Sequence, residues 1–258
     1  MQKVRPKKQL GQHFLNDKNI AQRIVDSLTA ETADAVLEIG PGMGVLTASL
    51  LDRFGDKFFA ADIDDESVQY LRATMPALNE RLLLADFLQY DLSKITSGNL
   101  AIIGNFPYNI SSQIFFRVIE NRNSIAEVVG MLQREVAQRI CEPPGSKTYG
   151  ILSVFLQAYY DIKYLFTVSE GVFTPPPKVK SAVIRLTRNN VQKLDCDEQL
   201  FVRVVKAGFN QRRKTLRNSI KSVFGGSIGN HPLLDKRPEQ LGVNDFVVLT
   251  NHIAAQNS

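Results

Sequence analysis

The chain has 258 residues, 44% of them hydrophobic, a formal net charge of +5 and a pI near 9.2, which allows one large domain or a large and a small one. Cys141 and Cys196 stand alone and far apart, with no metal-ligand or redox spacing; this excludes a disulfide scaffold and points to a reduced compartment. No apolar run follows the basic start and nothing approaches membrane-spanning length, so the expectation is a cytoplasmic protein with no membrane segment and no metal.

Lys3, Arg5, Lys7 and Lys8 open the chain with no acid among them, and "LGQHFLND" follows as the start of a folded domain. "AVLEIG" reads as a strand and "GVLTASLLDRF" as a helix. "KFFAADI" is a strand, and "ESVQYLRATM" a helix that Asp64 can cap. "RLLLAD" and "LAIIGN" are strands, "SSQIFFRVIEN" a helix, "EVVGMLQ" a strand and "REVAQRI" a helix. Short apolar strands alternating with amphipathic helices predict an α/β fold with a doubly wound, mostly parallel sheet covered on both faces. "DIKYLFTV" and "KSAVIRLT" alternate with period two and predict an antiparallel addition at the sheet's end. After Thr187 the chain turns polar, then helical and basic. The predicted domains are therefore 1–187 and a small helical domain over 188–258. From Gln199 to Leu234 seven basic residues occur without an acid. Two acid-free basic blocks around a near-neutral middle point to nucleic acid.

"LEIGPGMGVL" places Gly40, Gly42 and Gly44 between a strand and a helix, where the backbone can turn tightly and the helix start offers N–H groups to an anion. A dinucleotide fingerprint needs its third glycine where Val45 stands. The Gly-x-Gly-x-Gly spacing after Glu38 is instead the pattern of methyltransferases that bind S-adenosylmethionine (SAM). Asp62 ends the next strand, where a carboxylate can accept two ribose hydroxyls. Asp86 ends the third, where it can accept from an adenine amino group. Both lie where doubly wound sheets bind ligands.

"IIGNFPYNIS" ends a strand in a turn at the same sheet edge. Pro107 forces Phe106 into an extended conformation, which can set its carbonyl beside the side-chain oxygen of Asn105. Two adjacent acceptors suit an amino group with two N–H donors, and Tyr108 adds a face on which a base can stack. After a SAM loop, this turn points to methylation of a nucleobase amino group.

The chain resembles the KsgA/RsmA family of rRNA adenine dimethyltransferases over nearly its whole length, through "KKQLGQHFLND", "LEIGPGMGVLT", "GNFPYNISS", "MLQREVAQRI", "PGSKTYGILSVFLQAYY", "VFTPPPKVKSAVIRL" and "FNQRRKTLRNSI". The resemblance implies a Rossmann-like SAM-dependent methyltransferase. Its implied action is dimethylation of two adjacent adenosines in the 3′-terminal hairpin of 16S rRNA within a pre-30S particle, as a monomer. It implies cofactor contacts at His13, Leu15, Gly40, Asp62, Asp86 and Asn105, and catalysis by Asn105 and Tyr108 with Phe173 on the opposite face of the base. His13 stands where the family usually has Asn, Asp62 where Glu is more frequent, and Phe106 where Leu is frequent. In the C-terminal block, Val205, Phe209, Leu216 and Ile220 form an apolar face. Arg203, Lys206, Arg213, Arg217 and Lys221 form a basic one, and Arg213, Lys214 and Arg217 are taken as the RNA contacts. The alternatives are a macrolide-resistance type methyltransferase of large-subunit rRNA, disfavoured by "FNQRRKTLRNSI", and a non-catalytic RNA-binding assembly factor, disfavoured by the intact turn and carboxylates. A DNA adenine methyltransferase is disfavoured because no separate DNA-recognition domain is evident in the sequence.

Overall fold

A computed structural model describes residues 4–225 and 228–256; Lys3 of the first basic cluster lies outside them. After β1 (Phe14–Leu15) and α1 (Lys18–Asp26), the alternation runs β2 (Ala35–Ile39), α2 (Thr47–Phe54), β3 (Phe58–Asp62), α3 (Asp65–Thr74) and β4 (Leu82–Leu84). It continues with β5 (Leu100–Asn105), α4 (Ser111–Glu120), β6 (Ile125–Gln133), α5 (Arg134–Cys141), α6 (Ile151–Gln157), β7 (Tyr160–Val168), β8 (Phe173–Thr174) and β9 (Ser181–Arg188). Three further helices follow: α7 (Glu198–Asn210), α8 (Leu216–Phe224) and α9 (Val243–Gln256). The strands and helices expected from the apolar runs are present, and Asp64 caps α3 by accepting from the Glu66 N–H at 3.3 Å. The α1 and α6 helices and the small β1–β8 sheet were not anticipated.

Seven strands form one sheet in the order β4-β3-β2-β5-β6-β9-β7, while β1 and β8 pair antiparallel apart from it. β2 runs parallel to both β3 and β5, and β5 parallel to β6. β9 joins β6 antiparallel, the addition that the period-two pattern predicted. β2, β3, β5 and β6 are almost wholly buried because helices cover both faces, which is why they read as unbroken apolar runs. From β2 the chain winds outward to β3 and β4, then returns to β5 and winds the other way. The switch point therefore lies between β2 and β5, and a crevice opens there at the carboxyl ends.

The chain divides into two compact units, and the division is not linear. One runs to Ala137 and resumes over Asp161–Arg188; the other joins Gln138–Tyr160 to the described residues from Asn189 onward. The segment around α6 thus groups with the later helices, although it precedes residue 188. In the second unit Asp197 caps α7 by accepting from the Gln199 and Leu200 N–H groups at 2.8 and 2.9 Å. Phe201, Val205, Leu216, Ile220, Phe246 and Leu249 are buried there. The basic block breaks at Asn210, where α7 ends. Arg203, Lys206, Arg213, Lys214 and Lys221 are exposed.

Gly130, in β6, marks where the core touches the crevice. A Cβ there would come within 2.4 Å of the Phe106 ring, which is fully buried and meets Phe115 edge-on at 5.8 Å. Gly130→Ala is expected to cost about 1–3 kcal/mol, as overpacking of a closed core does. A urea titration should show a lower midpoint with unchanged slope.

Candidate active site

The crevice at the switch point is a cleft enclosing about 780 Å³, open solvent at its mouth included. One wall is the segment Leu10–Phe14; the other sides are Gly40 and Gly42, Asp62 and Ile63, Asp86 and Leu88, and the turn Asn105–Ile110. His13, Gly40, Asp62, Asp86, Asn105 and Tyr108, expected from the sequence, thus meet in one cavity. Leu15 is buried and lines an adjoining recess with Gly40 and Asn105.

Gly42 turns with φ +53°, and a Cβ on it would press within 2.8 Å of the Phe14 ring, so only glycine lets loop and segment close on each other. The glycine N–H groups are all used inside the protein: Gly40 donates to the Ala61 carbonyl (2.9 Å), Gly44 to that of Pro41 (2.8 Å) and Gly42 to Asp62 Oδ2 (3.2 Å). These amides therefore do not themselves face an anion; those of Gly40 and Gly42 tie the loop to β3, and that of Gly44 closes the loop on itself. The Asp64 N–H donates to Asp62 Oδ1 at 2.9 Å. Burial raises the Asp62 pKa, and the Asp64 and Gly42 N–H groups oppose it. Asp86 accepts from the Leu88 N–H at 2.9 Å and Gln89 Nε2 at 3.0 Å, which orients it beside the cleft.

The turn is anchored from beneath by Phe106, whose N–H donates to the Met131 carbonyl at 2.9 Å. Asn105 Nδ2 donates to the His13 carbonyl at 2.8 Å. That commits the amide's donor side and leaves Oδ1 as an acceptor. Among the described residues no donor reaches the Phe106 carbonyl. The His13 ring stacks on Tyr108, centroids 5.2 Å apart and planes 29° apart, and its Nδ1 hydrogen-bonds the Pro175 carbonyl at 2.7 Å. The Tyr108 hydroxyl bonds that of Ser181.

Phe173 does not reach the cleft. It is 3% exposed and packs in the core, because β8 pairs with β1 (Leu15 opposite Phe173) and turns the ring inward. The ring expected to face a base thus lies outside the cleft lining, where the ring stacked on Tyr108 is that of His13. Lys7, read as part of a polyanion-binding arm, is spent internally. Its Nζ pairs with Asp64 at 2.5 Å and Glu66 at 3.3 Å, while Gln12 Nε2 donates to Asp64 at 3.1 Å. Gln12 and Ser181 lie within the family-like stretches but without an implied role, and Ile63 has only its adjacency to Asp62 to point to it. In the second unit Arg213 and Lys214 are exposed, but Arg217 pairs with Asp235 at 2.8 Å and donates to Asn230 at 3.0 Å.

A fold of this topology with its cleft at this switch point is that of the SAM-dependent methyltransferases. The residues present suit that cofactor: two carboxylates for hydroxyl and amino donors, and a tightly closed glycine turn between them. The ribosomal RNA adenine dimethylase family model matches residues 3–251. A ribosomal RNA small subunit methyltransferase A of Parabacteroides distasonis is 58% identical over 252 residues, 97% of this chain and 94% of its own. The protein of that name from Cytophaga hutchinsonii is 57% identical over 258 residues, covering 99% and 100%. Among solved structures, a dimethyladenosine transferase from Plasmodium falciparum superposes with TM-score 0.78 at 23% identity, over 95% of this chain and 98% of that one. The 23S rRNA methyltransferase ErmE does so at 0.65 and 25%, over 93% and 99%. The chain belongs to the ribosomal RNA adenine dimethylase family and is a SAM-dependent rRNA adenine dimethyltransferase.

Glu38, at the base of the loop, is fully buried. Burial pushes its pKa up to about 8, against the Thr47 hydroxyl that donates to it at 2.7 Å. A carboxyl raised this way stays protonated in the fold while the unfolded chain ionises. Stability therefore falls as pH rises from the ordinary 4.5 toward 8. Glu38→Gln keeps an acceptor for Thr47 and cannot ionise. Its melting temperature should match the wild type at pH 4.5 and exceed it at pH 8.

Proposed function

We propose that this enzyme dimethylates two adjacent adenosines in the 3′-terminal hairpin of 16S rRNA, within a pre-30S particle in the cytoplasm, and that it acts as a monomer. The small-subunit target is supported by the naming of relatives at 57–58% identity across the whole chain. Fold likeness to ErmE keeps large-subunit rRNA as the alternative, at much lower identity.

The observation that carries the chemistry is the Asn105–Tyr108 turn. Because Nδ2 of Asn105 is committed to the His13 carbonyl, Oδ1 and the Phe106 carbonyl are left as two acceptors on one turn. An exocyclic adenine amine is a poor nucleophile while its lone pair is conjugated with the ring. Holding both N–H groups on those acceptors favours a pyramidal nitrogen with its lone pair free, and Tyr108 receives the base that has left its stack. When bound, the cofactor supplies an electrophilic methyl group. Asp62 and Asp86 would hold its ribose and adenine ends, and His13, Leu15 and Gly40 would line its path. The Tyr108 ring also favours the positive charge that develops on the amine. No strong general base is required, since the proton can leave to solvent, and in the second round the pocket holds an amine with one N–H.

Asn105→Ala should slow single-turnover methyl transfer on the order of a hundredfold or more, as loss of one preorganised transition-state hydrogen bond does elsewhere. The assay uses saturating SAM because the substitution also frees the His13 carbonyl. A wild-type rate would reduce the stretch to a plain turn. Asp62→Ala and Asp86→Ala should each weaken SAM binding by calorimetry, and wild-type affinity in both would remove them from the cofactor site.

RNA affinity rests on cations of the second unit. Arg213 and Lys214 have no acidic partner among the described residues, whereas Arg217 is already paired. Arg213→Ala with Lys214→Ala should flatten the salt dependence of RNA binding by about two counterions, with SAM affinity unchanged; Arg217→Ala should flatten it less. An unchanged slope in the double variant would mark this face as merely solvated.

A further inference from the structure

Ser181 opens β9, where it sits opposite Gln133 of β6, and no part of it is exposed. A buried hydroxyl is costly unless it is hydrogen-bonded. Among the described residues its one partner is the Tyr108 phenol, which likewise has no other. Burial raises the Tyr108 pKa, so the phenol remains a neutral group. The stretch leading to Ser181 is itself fastened. Asn16 Nδ2 donates to Thr174 Oγ1 at 2.6 Å, His13 Nδ1 bonds the Pro175 carbonyl at 2.7 Å, and the Arg134 N–H donates to the Lys180 carbonyl at 2.9 Å. Both rings of the His13–Tyr108 pair are therefore held at their polar edges by one segment, far from either in sequence.

We propose that Ser181 is a positioning residue for methyl transfer: its hydroxyl pins the phenol of Tyr108 and thereby sets the plane on which the target adenine stacks. This rests on the reading of Tyr108 as the stacking surface. A tyrosine on a turn can rotate about two side-chain bonds, and fixing the far end of the ring arrests both. Ser181 can serve as the fixed point because the β6–β9 ladder holds its backbone. Loss of the anchor lets the ring rock, and small displacements of a bound base away from its reacting geometry are expensive in rate.

Tyr108→Phe removes the same contact from the other side. A ring without the hydroxyl can still stack, but it leaves Ser181 buried with no partner and is no longer pinned. Ser181→Ala leaves a half-buried phenol that can turn to water, so its fold should be the less disturbed.

The test compares Ser181→Ala, Tyr108→Phe, the double variant and Tyr108→Ala in single-turnover methyl transfer at saturating SAM. RNA half-saturation, SAM affinity and melting temperature are measured alongside. Ser181→Ala and Tyr108→Phe should each slow transfer about tenfold, with RNA half-saturation and SAM affinity unchanged. The double variant should be no slower than the slower single one, and Tyr108→Ala slower than all three. Ser181→Ala should melt with the wild type, which separates positioning from a folding defect. If it does not, Tyr108→Phe carries the comparison from the other partner. A wild-type rate in Ser181→Ala with a severe loss in Tyr108→Ala overturns the role of Ser181 and leaves the stacking reading standing. A wild-type rate in Tyr108→Ala overturns both. Losses that multiply in the double variant mean the hydroxyls act independently, which also overturns the proposal.

Discussion

Because β2 and β5 pair in parallel while the chain leaves their carboxyl ends toward opposite sides of the sheet, a crevice has to open between the loops that follow them. Each side chain at the site owes its position to that divergence. The glycine turn leaves β2, Asp62 ends β3 one strand outward, Asp86 follows β4, and the Asn105 turn leaves β5. Strands offset by less than five ångströms bring four separate stretches of chain to one edge.

Within the crevice, rigidity comes from below and from the side. Phe106 is wedged into space that Gly130 leaves empty, so the turn above it cannot shift without disturbing the centre of the sheet. Asn105 donates one N–H to the His13 carbonyl of the Leu10–Phe14 wall, and this orients the side-chain oxygen proposed to hold the amine. An amide free to rotate would have to pay that ordering in each turnover; here it is settled when the protein folds. Gln12, by donating to Asp64, fastens the same wall to the residue that also steadies Asp62. Wall, Asp62 and glycine turn thus form one connected hydrogen-bonded set.

Charge is divided between the units by the same economy. Next to the cleft, Lys7 is paired with acids, whereas Arg213 and Lys214 in the second unit are exposed and have no acidic partner among the described residues. Under the proposed assignment, binding that depends on phosphate is separable from chemistry that depends on geometry.

The sequence by itself determined the parallel α/β class, the strands β2, β3, β5 and β6, the glycine turn, both carboxylates and the Asn-x-Pro-Tyr turn. These are local signals: burial on both faces writes an unbroken apolar run, and a ligand-facing turn needs particular residues at adjacent positions. Only the tertiary structure decided which distant stretches meet. It drew Gln138–Tyr160 into the second unit, turned Phe173 into the core by pairing it with Leu15, and laid His13 on Tyr108. It also left Glu38 uncharged in a strand whose sequence shows only an acid, and joined Tyr108 to a serine 73 residues away. No periodicity records such contacts, because they are set by how whole elements pack, and the free energy of a buried polar group depends on its neighbours in space rather than in the chain.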